Sequence, residues 1–241
     1  MSLSTLPEED RGPLRHAPTV YGRSLWGAPL HVYLPVSGTS ADLLVFAAIH
    51  GHEPDSTVVV SAALRCLAPE QLRAAVVLAA NPDGSASGTR GNARGVELNR
   101  NFPTLDWSPS APTHRWLDES PSRVRLSPGE WAGSEPETQA LIALIEKLNP
   151  KVTLSVHSPL ACIDDPDATP LGGWLAQRTR LPRVADVGYP TPGSFGTWCR
   201  EQGRRAVTYE LESAGLSALR ERHVPGLVDL LAGAAGGLGN S

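Results

Sequence analysis

Residues 42–53 read DLLVFAAIHGHE. The apolar run Asp42–Ile49 has the length and unbroken hydrophobicity of a strand buried on both faces, the kind found in parallel sheets. It runs directly into His50-Gly51-His52-Glu53. Side chains at the carboxyl end of such a strand emerge into a crevice, where open α/β sheets bind ligands. His50 and Glu53 are three residues apart, so one turn can bring an imidazole nitrogen and a carboxylate to one ion, with Gly51 letting the backbone turn between them.

Outward from this stretch, Leu30–Val36, Ala74–Ala80, Val152–Val156 and Arg205–Leu211 are short, β-branched or apolar, and also read as strands. Helical patterns lie between them at Ser56–Leu67, Glu135–Leu148, Pro170–Thr179 and Ser194–Gln202, the second opened by a Ser-x-x-Glu start at Ser134–Glu137. Alternating strand and helix predict an α/β sandwich: one domain with a mixed, mostly parallel sheet flanked by helices. No internal repeat occurs. The stretch from Asn81 to Trp131 has little periodicity and much Gly, Pro, Ser and Arg, and is expected to build the site.

The composition narrows the choice of function. Twenty-one Lys and Arg against 25 Asp and Glu give a formal charge of −4, the wrong sign for nucleic-acid binding. No segment is apolar and long enough to span a bilayer, so no membrane association is expected. Residues 1–18 lack the cationic start and apolar stretch of a secretory signal. Three widely spaced cysteines, Cys66, Cys162 and Cys199, fit reduced thiols and a cytoplasmic location better than a disulfide framework. No obligate protein partner is implied.

A second strand end, after Val152–Val156, delivers His157, a candidate third ligand. Two histidines and a carboxylate with one open position make a hydrolytic zinc site. Glu210, in the apolar run Val207–Leu211, is costly to bury without a partner or a task and is the candidate base. Each signal has a plainer reading: His50-x-x-Glu53 as a solvated turn, His157 as a hydrogen-bonded strand end, Glu210 as a partner of Arg204 or Arg205. His52 is a substitute for His50, but only His50 has the two-residue gap to Glu53. His16, His31, His114 and His223 have no carboxylate at useful spacing and read as surface or packing residues. Arg90, Arg94 and Arg100, with Asn99, lie in a glycine-bearing loop suited to bidentate recognition of a carboxylate or phosphate. Neither a phosphate-cradling G-x-x-x-x-G-K-[ST] loop nor a G-x-S-x-G elbow is present, which argues against an NTPase and a serine hydrolase.

Taken in order, His50-x-x-Glu53, Asn81-Pro82-Asp83-Gly84, Arg90, Asn99-Arg100-Asn101-Phe102, His157-Ser158 and Glu210 in Thr-Tyr-Glu-Leu resemble the zinc carboxypeptidase family. More closely, stretches such as GVELNRNFP, GSEPETQAL, PLACIDDP and GYPTPGSFGTWC are similar to its branch of γ-D-glutamyl-meso-diaminopimelate peptidases. The resemblance implies a catalytic domain over residues 21–241 after an N-terminal extension, 1–20. It also implies one Zn²⁺ per chain held by His50, Glu53 and His157, with Glu210 as base and Arg90 stabilising the oxyanion. Asn99 and Arg100 would clamp the departing residue's carboxylate, with Glu97 supporting the Arg loop and Tyr189 near the place of a substrate-closing tyrosine. The implied substrate is the murein tripeptide L-Ala-γ-D-Glu-meso-diaminopimelate, in cell-wall peptide recycling, with Asp164 or Asp165 expected to meet the distal ammonium of diaminopimelate. Two competing readings are an N-acyl amino-acid deacylase of the succinylglutamate desuccinylase or aspartoacylase kind, and a catalytically silent peptide-binding protein.

Overall fold

The computed structural model describes residues 14–36, 41–110, 113–115 and 123–234. Residues 1–13 of the expected extension lie outside the described residues, while Pro18–Arg23 form the first strand, β1. In chain order follow β2 (Pro29–Tyr33), β3 (Leu43–Ala47), α1 (Pro54–Arg65), β4 (Ala75–Val77), α2 (Pro82–Ser87), β5 (Thr113–Arg115) and β6 (Arg123–Arg125). The remainder is α3 (Pro136–Leu148), β7 (Val152–His157), β8 (Leu160–Asp164), α4 (Pro170–Thr179), β9 (Arg183–Val184), α5 (Phe195–Glu201), β10 (Ala206–Glu212) and α6 (Leu216–Leu231).

Eight strands form one sheet in the order β1-β2-β4-β3-β7-β10-β8-β9, and β5 and β6 form a separate hairpin. The four central strands, β4, β3, β7 and β10, are parallel to one another. Antiparallel pairings flank them, through β2 on one side and β8 on the other. The sheet is therefore mixed, with its parallel part where both faces are covered. All five residues of β3 are buried, and their alternation divides them between two cores. Leu43, Val45 and Ala47 join α1 residues such as Val59 and Ala63 and α6 residues such as Leu227 and Leu230. Leu44 and Phe46 join Leu141 and Ile145 of α3 and Phe195 and Trp198 of α5. Continuous apolar strands and one-sided helices thus produce the expected α/β sandwich. Among the described residues, no helix is long and apolar enough to cross a membrane.

Seven elements lie outside those expected from the sequence, namely β1, α2, β5, β6, β8, β9 and α6. Most are short, and α6 mixes polar residues among its apolar ones. α6 nevertheless buries Leu219, His223, Leu227, Leu230 and Leu231 along one side. His223 is a packing residue, fully buried, to which the fold brings a carboxylate that sequence spacing did not offer. Its Nε2 lies 2.7 Å from Glu212 Oε2 and its Nδ1 2.6 Å from the Tyr209 hydroxyl. His16 is a packing residue whose Nε2 lies 3.1 Å from the carbonyl oxygens of both Leu64 and Leu67.

The order of β10 decides where the site forms. The chain leaves β7 at His157, passes through Ser158-Pro159 and returns as β8, yet β10, from near the end of the chain, lies between the two. Glu210 is consequently paired with His157 on one side and Cys162 on the other.

Candidate active site

Pro54 opens α1, at a position where a missing N–H and a fixed φ are tolerated. Glu53 is therefore the N-cap residue, but its side chain caps nothing and turns toward His50 instead. The His50 turn is fixed from below by the Asn-Pro-Asp-Gly motif. Asn81 accepts a hydrogen bond from the Gly84 N–H at 2.9 Å and donates to the Ile49 carbonyl at 3.2 Å. A Cβ on Gly51 would fall 2.0 Å from the Gly84 carbonyl carbon, so glycine is required for this backbone contact. Asp83 accepts from the Ser24 hydroxyl and the Trp26 N–H. The motif is thus scaffold, a role that its sequence did not disclose.

β3 and β7 run in parallel with Ala47 opposite Val156, which brings their carboxyl ends level. His50 Nδ1 lies 2.7 Å from Glu53 Oε1, His157 Nδ1 lies 3.1 Å from Glu53 Oε2, and the two Nδ1 atoms are 3.2 Å apart. All three residues are at most 5% exposed. With Glu53 ionised, as its surroundings hold it, every assignment of protons to the two rings leaves at least one close contact between like groups. If both Nδ1 atoms donate to Glu53, two donors oppose each other, and His50 Nε2 becomes an acceptor 3.4 Å from Glu97 Oε1, itself an acceptor. A cation among the three resolves the conflict, since both Nδ1 lone pairs then face it and His50 Nε2 keeps its proton toward Glu97. One nitrogen or oxygen from each residue lies within 4.8 Å of the others, so the three can hold one metal ion. Two nitrogen donors and an oxygen facing an open pocket suit zinc.

The electrostatics follow the same geometry. Burial pushes the Glu53 carboxyl up, but His50 and His157 outweigh it and hold it well below the usual carboxylate range. Glu97 behaves likewise: burial is overcome by the His50 ring and the Arg90 charge. Arg90 donates from Nε to Glu97 at 2.9 Å, and its Nη1 lies 3.3 Å from Glu53 Oε1. Glu210, 7% exposed, is shifted the other way: burial raises its pKa, which His157 only partly offsets. It accepts a hydrogen bond from the Leu160 backbone N–H at 3.4 Å. Arg204, an alternative partner for Glu210 on sequence grounds, donates instead to Asn149.

Of the loop residues, Arg90, Asn99 and Arg100 line the same pocket as the three candidate ligands and Glu210. Asn99 gives its Oδ1 to the Phe195 N–H at 2.9 Å, which leaves its amide N–H groups to donate. Arg100 donates to the Asn99 carbonyl at 2.6 Å. Arg94 points elsewhere, 3.2 Å from Glu135, and ties the loop to the start of α3. Tyr189, half-exposed, stands at the pocket edge, where burial and the Glu210 charge raise its hydroxyl pKa. Asp164 lines the pocket, whereas Asp165 does not. Asp165 is buried and accepts from the Thr169 N–H and hydroxyl, with Arg183 Nε 3.0 Å away. A Cβ on Gly172 would collide with its Oδ2. Asp165 therefore anchors the start of α4 and is withdrawn as a candidate for substrate contact.

A family profile described as zinc carboxypeptidase matches residues 17–163. The chain belongs to the zinc carboxypeptidase family. It is a hydrolytic enzyme, and zinc is its cofactor. The chain is 44% identical over 229 residues to murein peptide amidase A of Escherichia coli (strain K12), covering 94% of each protein. It is 42% identical over 233 residues to murein peptide amidase A of Vibrio campbellii, covering 96% of this chain and 94% of that protein. The crystal structure of a murein-tripeptide amidase from Escherichia coli O157 superposes with a TM-score of 0.89 at 43% identity, covering 94% of this chain and 96% of that one. Carboxypeptidase A from Helicoverpa armigera shares the fold, with a TM-score of 0.70 at 18% identity over 93% of this chain and 70% of that one.

Proposed function

We propose that this zinc carboxypeptidase is an amidase that cleaves the γ-D-Glu–meso-diaminopimelate bond of murein tripeptide, releasing diaminopimelate and L-Ala-D-Glu during cell-wall peptide recycling. The observation that carries this reading is the convergence of His50, Glu53 and His157 beside Glu210, in a chain alike over 94% of its length to murein peptide amidases. Zinc held by the triad supplies Lewis acidity toward the scissile carbonyl and makes a water more acidic.

The chain's own groups divide the remaining work. Glu210 takes a proton from the attacking water at its carboxylate and passes it to the departing amine, a task helped by the burial that raises its proton affinity. Arg90 faces the negative charge that develops on the carbonyl oxygen, held in position by Glu97. The Arg100 guanidinium and the Asn99 amide bind the free carboxylate of the departing residue, whose amine is the one being released. Tyr189 borders the entrance and shields the bound peptide from water. Cytoplasmic residence is supported by three free cysteines, Cys162 and Cys199 among them buried.

The test is hydrolysis of L-Ala-γ-D-Glu-meso-diaminopimelate by the zinc-loaded protein, with N-succinylglutamate and N-acetylaspartate in parallel and a chelator control. The expected result is chelator-sensitive release of diaminopimelate. Turnover of the N-acyl amino acids alone would identify a deacylase, and chelator-insensitive peptide binding without turnover would identify a silent binder.

A further inference from the structure

Away from the metal-binding residues, the pocket continues along β8 and β10. Asp164 is paired with Thr208, two residues before Glu210 on its strand, a separation of about 7 Å. Asp164, Thr208, Asp186 and Arg200 line this far end. Asp164 Oδ1 is buried and accepts no hydrogen bond among the described residues. Burial and the nearby Asp186 charge push its carboxyl up from its usual value, with Arg200 acting against them. Its neighbour Asp165 is fully engaged by Thr169 and Arg183, so the unmet acceptor belongs to Asp164 alone. Arg200 is exposed on α5, and its side chain has no hydrogen bond or ion pair within the described residues.

A buried acceptor facing a cavity calls for a cationic donor, and a guanidinium at the same end calls for an anion. We propose that the far end of the pocket reads a zwitterion: Asp164 receives the ammonium, and Arg200 the carboxylate, of a second amino-acid centre at the tip of the departing residue. The inference rests on the amidase reading above and specifies how that site selects its substrate. The two amino-acid centres of diaminopimelate are joined by four carbon–carbon bonds, a reach on the scale of the two-residue step of β10 between Glu210 and Thr208, the partner of Asp164. A lysine side chain brings the ammonium without the carboxylate, and norleucine brings neither.

The test compares kcat/KM of the zinc-loaded wild type, Asp164→Asn and Arg200→Gln on three tripeptides that end in meso-diaminopimelate, L-lysine or L-norleucine. Asp164→Asn should lower the diaminopimelate-to-norleucine and lysine-to-norleucine ratios by about tenfold or more, chiefly through KM. Arg200→Gln should collapse the diaminopimelate-to-lysine ratio while leaving the lysine-to-norleucine ratio alone. Zinc content and thermal unfolding establish that both variants are folded. Wild-type ratios in either variant, or equal losses on all three peptides, would overturn the subsite. If the wild type cleaves none of them, the amidase reading fails and the subsite falls with it.

Discussion

The chain buries two histidine–glutamate clusters against the same strand, β10, and they differ in one respect. Around His223 every polar atom has a protein partner. The neutral ring with its proton on Nε2 donates to Glu212 and accepts the Tyr209 hydroxyl proton at Nδ1, while Arg222 donates to Glu212 and to the Thr179 carbonyl. Around His50 and His157, with Glu53 ionised, the facing ring nitrogens and the carboxylate cannot all be paired by protons, and His50 Nε2 has no hydrogen-bond partner among the described residues. A complete network stabilises a fold, whereas an incomplete one specifies a ligand. Residue types alone do not tell the two apart, because both clusters are made of His and Glu.

The most severe way to break the contrast is His157→Ala. It should abolish both zinc retention and turnover, measured by metal analysis and tripeptide hydrolysis, and full metal occupancy with normal rates would reject the ligand assignment. Next comes Glu210→Gln, which removes the proton acceptor and leaves the three ligands intact. Zinc content should stay at the wild-type level while kcat drops by about 10²–10⁴-fold. Glu97→Gln sharpens the comparison, because it weakens the group that orients His50 without touching the ion. A loss of about 10–100-fold in zinc affinity is expected from competition with a chelating dye; unchanged affinity would make Glu97 a support for Arg90 only.

The closed cluster should respond differently. His223→Ala orphans the buried Tyr209 hydroxyl and is expected to cost about 1–3 kcal/mol of stability, read as a lower Tm with zinc content maintained. Loss of metal instead would show that the two clusters are coupled through β10. The smallest effect concerns pH. Burial depresses the His223 pKa despite Glu212 beside it, and the Glu212 carboxyl, although partial burial opposes the shift, is lowered by its own backbone N–H and by His223. Both groups thus bind protons more weakly in the folded state than in the unfolded chain. The His223 contribution is complete above its unfolded pKa of about 6.5 and is lost as pH falls through the lower folded value; that of Glu212 follows in the same direction at more acidic pH. The Tm difference between wild type and His223→Gln should therefore shrink from pH 7.5 to 5.5, and a constant difference would contradict the assignment of a neutral ring.

Much of the fold was legible because burial imposes a local signature. Asp42–Ile49 is apolar on both faces because helices cover both, and Val152–Val156 presents Val152, Leu154 and Val156 to one core; runs of these kinds announce themselves without knowledge of their neighbours. β8 did not, since its polar Asp164 faces the pocket. α6 escaped because its buried positions are interrupted by His223, a polar residue made acceptable by partners on β10. Asp165 misled for a related reason. Adjacent aspartates in a loop look equivalent, and only the approach of Thr169, Arg183 and Gly172 assigns one to the scaffold and leaves the other to the pocket.

The sequence by itself determined the alternating elements, the delivery of His50, Glu53 and His157 to strand ends, and the chemistry those donors permit, because strand period and donor type are properties of neighbouring residues. Only the tertiary structure decided that β10 enters between β7 and β8, setting Glu210 beside His157, and which of two buried imidazole clusters is closed. The first outcome depends on pairings between segments about 50 residues apart, and the second on contacts between different elements, from 11 residues apart for Glu212 and His223 to 107 for His50 and His157, whose partners are chosen by packing.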